Sequence, residues 1–164
     1  MIFVTVGTHE QQFNRLVEYM DKWARNHDEK VIIQTGFSTY VPQNCEWHKI
    51  LPYCEMKKNV EDARVIITHG GPSSFIAALQ IGKIPIVVPR RKDYGEHVND
   101  HQIEFCRQIA ERKRTIMLVE DVFELENAIE KYSDTLLGMK RENRSNNEKF
   151  CLEFEKIVSE LFDR

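Results

Sequence analysis

The chain has 164 residues, 41% of them hydrophobic and 30% charged, with a formal net charge of −3. That length holds one domain with a sizeable core, and the mild acidity supplies no global basic field for nucleic acid. No apolar run reaches the ~20 residues of a membrane span, and the opening MIFVTVGTHE lacks the basic start and apolar core of a signal peptide.

Residues 2–6 (IFVTV) read as a buried β-strand ending at Gly7. A helix follows with Phe13, Leu16, Val17, Met20 and Ala24 on one face. Thr8 and Gln11 fit a capping box at its start. Residues 31–35 (VIIQT) form a second strand closed by Gly36, 47–51 a short third, and 54–62 a short helix. Residues 64–68 (RVIIT) are another buried strand, followed at once by HGGPSS and a helix over 73–81. The pattern continues with a strand at 84–88, a helix at 98–110 and a strand at 115–119. Asp121 and Glu124 then open a helix with Val122, Leu125, Ala128, Ile129 and Tyr132 inward, and Gly138 breaks the chain. A final helix over 141–162 carries Phe150, Phe154, Ile157, Val158 and Leu161 at helical spacing.

Strands alternating with helices imply an α/β fold, with a mostly parallel sheet covered by helices on both faces. Ligands of such sheets bind beyond the carboxyl ends of the strands. That rule selects residues 7–10, 36–40, 69–74 and 89–102. The cysteines at 45, 54, 106 and 151 form no CxxC pair and no zinc-type grouping, so reduced thiols of a cytosolic protein are expected.

Three of these corners carry chemistry. In THGGPSS, Gly70 and Gly71 permit close backbone approach, and Pro72 suits a helix entry. Ser73 and Ser74 sit at a positive helix end, a place for a pyrophosphate; a tight turn with an ordinary serine cap explains the same residues. In VGTHEQ, Gly7 allows a tight turn and His9 points to the cleft, or else Thr8 only caps and His9 is solvated. In EHVNDHQ, a helix start would put Glu96, His97 and Asp100 on one face, where they can bind sugar hydroxyls; a charged capping loop is the plain alternative. The preceding Arg90-Arg91-Lys92 run is either solvated or attractive to an anionic lipid phosphate.

The block THGGPSSFIAALQIGKIPIVVPRRKDYGEHVNDHQ resembles the donor-binding half of GT-B glycosyltransferases of the family 28 carboxyl-terminal type. With VTVGTHEQQFNRLV, the chain is similar to the small subunit of two-chain enzymes. These are the bacterial capsule and exopolysaccharide β-1,4-galactosyltransferases and the eukaryotic GlcNAc transferase of asparagine-linked glycosylation. The resemblance implies a single Rossmann-like half-domain over 1–164 with a carboxyl-terminal helix. It implies an inverting, metal-independent hexosyltransferase whose donor is a UDP-sugar, with UDP-galactose favoured. His69, Gly70, Gly71, Ser73 and Ser74 would hold the diphosphate, and Gly7, Thr8 and His9 would line the same cleft. Glu96 and His97 would take the place of the sugar-reading pair, with Asp100 beside them. His9 is then a candidate base for the acceptor hydroxyl, alongside a carboxylate or histidine in a partner.

The resemblance also implies a membrane-anchored partner subunit that binds a polyprenyl-diphosphate-linked saccharide. This chain would be cytoplasmic and recruited to the inner face of the membrane. Leu152 and Phe162, off the inward stripe of the last helix, would serve docking to that partner, or else pack on this domain. One departure stands out. Relatives place an acidic residue for the ribose hydroxyls where this chain has Ala77. That keeps open a non-catalytic nucleotide-sugar-binding or activating subunit. A nucleotide-sugar epimerase is a weaker alternative, because such enzymes need both halves of the cleft in one chain.

Overall fold

The structure is a computed structural model that describes residues 1–139 together with Leu152, Phe154 and Glu155. Six strands form one parallel sheet: β1 (Ile2–Thr5), β2 (Val31–Gln34), β3 (Glu46–His48), β4 (Val65–His69), β5 (Ile86–Val88) and β6 (Met117–Leu118). Their spatial order is β3-β2-β1-β4-β5-β6. The direction of winding therefore reverses between β1 and β4, where Ile2 pairs with Val65 and Thr5 with Thr68. Open α/β sheets bind ligands at such a reversal, beyond the carboxyl ends of the strands.

The helices are α1 (Asn14–Arg25), α2 (Tyr53–Asp62), α3 (Pro72–Gln80), α4 (His101–Lys113), α5 (Leu125–Glu130) and α6 (Tyr132–Leu137). They cover both faces because successive strand residues point to opposite sides. Ile2, Val4, Ile33 and Ile67 pack with Leu16, Val17 and Met20 of α1 and with Leu125 and Ile129 of α5. Phe3, Ile32 and Ile66 face the other way, onto Val60 of α2 and Ala78 of α3. Phe75 and Val87 meet Cys106 of α4. Each such large apolar side chain contributes roughly 1.5–3 kcal/mol through burial.

Several boundaries depart from the sequence reading. The third strand ends at His48 instead of running to 51. It is an exposed edge, and the backbone after it bends so that Leu51 turns into the core beneath β2. No capping box forms at Thr8. The first helix starts only at Asn14, with Phe13 before it, and Ser38 Oγ accepts from Phe13 N at 3.1 Å. Residues 7–13 are thus a loop. Helix α4 likewise starts at His101, three residues later than its pattern suggested. Asp121 does cap, accepting from Phe123 N at 3.0 Å, but it heads a short 3-10 turn that leads into α5. Of the proposed final helix, Leu152 and Phe154 are helical and exposed; Phe150, Ile157, Val158, Leu161 and Phe162 lie outside the described residues. No helix among the described residues is long and apolar enough to cross a membrane.

Candidate functional site

The site is built around a buried cation. Arg90, the second residue beyond β5, is 0% exposed and donates to four carbonyls. Its Nη1 reaches Gln11 O and Gln12 O at 2.9 Å and Glu96 O at 3.0 Å, and its Nη2 reaches Val6 O at 2.9 Å. The end of β1, the 7–13 loop and the 90–96 loop are therefore fastened to one guanidinium. The Phe13 ring lies 4.9 Å from its Cζ. Burial lowers the Arg90 pKa to about 10, with Glu96 acting in the opposite sense.

His69, the last residue of β4, is 8% exposed and lies between two glycines. A Cβ on Gly7 or on Gly71 would come within 3.0 Å of its ring. Gly7 also has φ +74°, a left-handed conformation that other residues adopt only with strain. Both glycines thus make room for an imidazole: Gly7 takes the tight turn that the sequence suggested, while Gly71, read as room for a ligand, is room for His69. Burial, and next the charge of Arg90, bring the His69 pKa down to about 4, although the Thr5 backbone opposes this. The ring is neutral at physiological pH.

Beside it lies a cleft of about 490 Å³. Thr8 and His9 form one wall, and Ser73, Ser74 and Ala77 of α3 form another. Pro72 occupies the first turn of α3, and no side chain caps that helix. Pro72 has no N–H and the Ser74 N–H donates to Gly71 O at 3.1 Å, so the Ser73 N–H and the Ser73 and Ser74 hydroxyls are the donors left at the positive end of the helix dipole. An anion fits there.

His9 sits at the edge of the cleft with His97 next to it, the ring centroids 4.9 Å apart. His9 Nδ1 accepts from Gln11 N at 3.2 Å, and His97 Nδ1 accepts from Asn99 N at 3.4 Å. The His9 pKa is lowered, first by burial and then by the charges of Arg90 and His97, while Glu10 pulls it up.

Three expected site residues do not take their expected places. Glu96 is 1% exposed, and both its oxygens are held by Arg15 at 3.0 Å, with Arg91 N donating to Oε2 at 2.9 Å. It does not share a helical face with His97 and Asp100, because residues 95–100 precede α4. Its carboxylate secures the 90–96 loop from inside. Asp100 occupies the position before α4 and accepts from Lys92 N at 2.9 Å, so it closes the same loop. Gly70 is buried. A Cβ there would meet Gln102 and Cys106 at about 3 Å, so its missing side chain lets α4 approach. The cleft brings together Gly7, Thr8, His9, His69, Ser73 and Ser74.

The cleft also uses residues that sequence reasoning missed: Thr5, Gln34, Tyr53, Met56 and Val60. Gln34 donates to Thr5 Oγ1 at 3.2 Å and accepts from Leu51 N at 3.1 Å, so it binds β1, β2 and the turn after β3. A lone glutamine in the apolar run VIIQT was a legible signal for a polar floor. Tyr53 is 83% exposed at the mouth, a free aromatic face; nothing in its sequence setting marked it.

A larger cavity of about 640 Å³ lies between α1 and residues 120–123. Its charges are largely paired with one another, Arg15 with Glu96 and Lys22 with Glu18. The smaller cleft carries the candidate chemistry because it lies where the strand order reverses. Among the described residues no three His, Cys, Asp or Glu side chains are grouped to hold a metal.

The Glycosyltransferase family 28 C-terminal domain matches residues 1–161. Two curated relatives, the UDP-N-acetylglucosamine transferase subunit ALG13 of Mus musculus and of Homo sapiens, are each 28% identical over 119 residues. These alignments cover 65% and 66% of this chain but 10% of each relative, so the chain spans a small part of their length. Among solved structures, the calicheamicin glycosyltransferase CalG4 superposes with a TM-score of 0.62 at 16% identity. It covers 98% of this chain and 43% of its own. The glycotransferase of kitacinnamycin gives a TM-score of 0.61 at 20% identity, over 87% and 39% respectively. At those identities the likeness is one of fold: this chain has the architecture of one half of a GT-B enzyme.

Proposed function

The chain belongs to the glycosyltransferase family 28 C-terminal domain family, and from that membership we propose that it is the donor-binding subunit of an inverting transferase. The observation that carries this reading is the cleft at the β1/β4 reversal, where Thr8, His9, Ser73, Ser74 and the uncapped start of α3 converge. A diphosphate suits that convergence, and Tyr53 at the mouth offers a stacking face for uracil. The donor is then a UDP-sugar, with UDP-galactose our choice among sugars.

Transfer forms a bond from the acceptor oxygen to the anomeric carbon as the bond from that carbon to the diphosphate oxygen breaks, and the acceptor hydroxyl's proton passes to a carboxylate or histidine of the partner subunit. The charge that develops on the departing UDP faces the Ser73 N–H, the serine hydroxyls and the positive end of the α3 dipole, which stabilise it without a metal ion. The acceptor, a polyprenyl-diphosphate-linked saccharide of capsule or exopolysaccharide synthesis, is brought by a membrane-anchored partner subunit. That arrangement accords with the name of the ALG13 relatives, which calls them subunits.

A second reading rests on Ala77. It lines the cleft at the expected ribose position and has no hydrogen-bonding side chain. A subunit that binds the nucleotide-sugar weakly and activates its partner would tolerate this. Calorimetric titration with UDP, UDP-galactose and UDP-glucuronic acid, free of divalent metal, separates the two. Preferential binding of UDP-galactose by this chain supports the catalytic donor subunit. Binding that ignores the sugar supports the activating subunit. No binding by the chain, alone or with its partner, overturns both.

A further inference from the structure

We propose that His9 is a hydrogen-bond donor of fixed tautomer to the diphosphate of the bound nucleotide-sugar, and not the base that deprotonates the acceptor. This assignment rests on the donor-site reading above and names the work of one residue within it. The primary observation is the His9 Nδ1 contact. Nδ1 accepts the Gln11 N–H at 3.2 Å. The residue that donates is anchored through its next peptide, because the Gln11 carbonyl accepts from the buried Arg90 at 2.9 Å. A neutral imidazole carries one N–H, so a ring that accepts through Nδ1 bears its proton on Nε2.

Nε2 is the nitrogen left to the cleft, and among the described residues no group hydrogen-bonds to it. A protonated Nε2 cannot remove a proton from a hydroxyl. The ring's lone pair lies on Nδ1, turned onto the backbone. Charging the ring would set a second N–H against the Gln11 amide. It would also place a cation beside Arg90, with His97 of the loop before α4 at 4.9 Å and His69 of β4 close by. Glu10, on His9's own loop, is the acid that opposes these.

The ligand group must therefore be an acceptor. The other polar groups at this end of the cleft are also donors, the hydroxyls of Thr8, Ser73 and Ser74 and the start of α3. An anionic diphosphate, all acceptor oxygens, matches them. His97 has the same Nδ1-to-backbone arrangement, with Asn99 N at 3.4 Å. Two neighbouring imidazoles thus both turn Nδ1 onto their own loops, which leaves Nε2 of each as the donor.

Long-range proton–nitrogen NMR of the full chain, labelled with nitrogen-15, reads the tautomer directly. We expect His9 to be neutral with its proton on Nε2 at neutral pH, and its Nε2 resonance to move on addition of UDP. Affinity for UDP then divides two variants. Glutamine places an N–H close to the position of Nε2, so His9→Gln keeps UDP affinity within about threefold. His9→Ala loses roughly tenfold to a hundredfold, as befits a hydrogen bond to a charged group. A proton on Nδ1, a charged ring at neutral pH, or UDP affinity unchanged in His9→Ala while wild type binds overturns the assignment alone. A wild-type chain that binds no UDP, alone or with its partner, overturns the donor-site reading and the assignment with it.

Discussion

Arg15 meets Glu96 in a two-point ion pair, Nε on Oε1 and Nη2 on Oε2, both at 3.0 Å. Glu96 is almost fully buried, and the pair joins α1 to the loop that carries His97. Removing Arg15 leaves a buried carboxylate without its cation. Arg15→Ala should therefore destabilise the fold by roughly 3 kcal/mol, read as a lowered urea midpoint. Glu96→Gln should act on stability in the same direction, while leaving discrimination among UDP-sugars unchanged. A change of sugar preference with intact stability would return Glu96 to the ligand.

Arg90 serves four carbonyls from one planar fork. A lysine ammonium presents three donors from a single point and cannot reach all four. Arg90→Lys should cost about 3–5 kcal/mol and weaken UDP binding, because the 7–13 loop loses its fastening. Denaturation with and without UDP checks this; near-wild-type stability would show that the carbonyls find other donors.

Gly71 and Gly7 both border the His69 ring, but their backbones differ. Gly71 has φ −77°, open to any residue, whereas Gly7 has φ +74°. Gly71→Ala should displace the imidazole with little backbone strain. The His69 pKa should then climb from about 4 toward the ordinary 6.5, visible by NMR titration. Gly7→Ala adds strain to the same clash and should be the less stable variant by about 1 kcal/mol or more. Equal stability of the two would deny the role of the left-handed turn.

His69 also sets a pH dependence. The folded chain keeps it neutral down to about 4, while an unfolded imidazole protonates near 6.5. Between those values the unfolded state binds more protons, so stability falls as the pH drops through that window. The loss amounts to roughly 3 kcal/mol. Burial and the Arg90 and His97 charges shift His9 the same way, so the comparison must be with His69→Gln. The variant should show the shallower decline in urea midpoint between about pH 7 and pH 5. Glu29, held at about 2 by the hydrogen bond from Arg64 and by the amino terminus, contributes stability that is lost only below 4.5. Parallel curves for the two proteins would contradict a neutral buried His69.

Local pattern alone settled the order and identity of the central elements. The runs IFVT, VIIQ and VIITH are buried strands in the structure, and the amphipathic stripe of α1 packs as its spacing demands. Hydrophobic periodicity is a local property, so a chain read one residue at a time displays it. The same reading located the cleft, because the carboxyl ends of parallel strands follow from strand direction. What escaped it were relations between residues far apart in sequence. Arg90 looked like part of a run that is solvated or attracts a lipid phosphate, and it is a fully buried cation; two of its partners, Val6 and Gln11, lie 84 and 79 residues away. Glu96 looked like a sugar ligand and is claimed by Arg15, 81 residues back. Gly71 looked like room for a ligand and is room for His69. A polar side chain's role depends on whether a partner of opposite need reaches it, since an unpaired buried charge is too costly to persist. That partner is chosen by how the loops pack, so composition could nominate these groups while packing assigned each one to scaffold or to cleft.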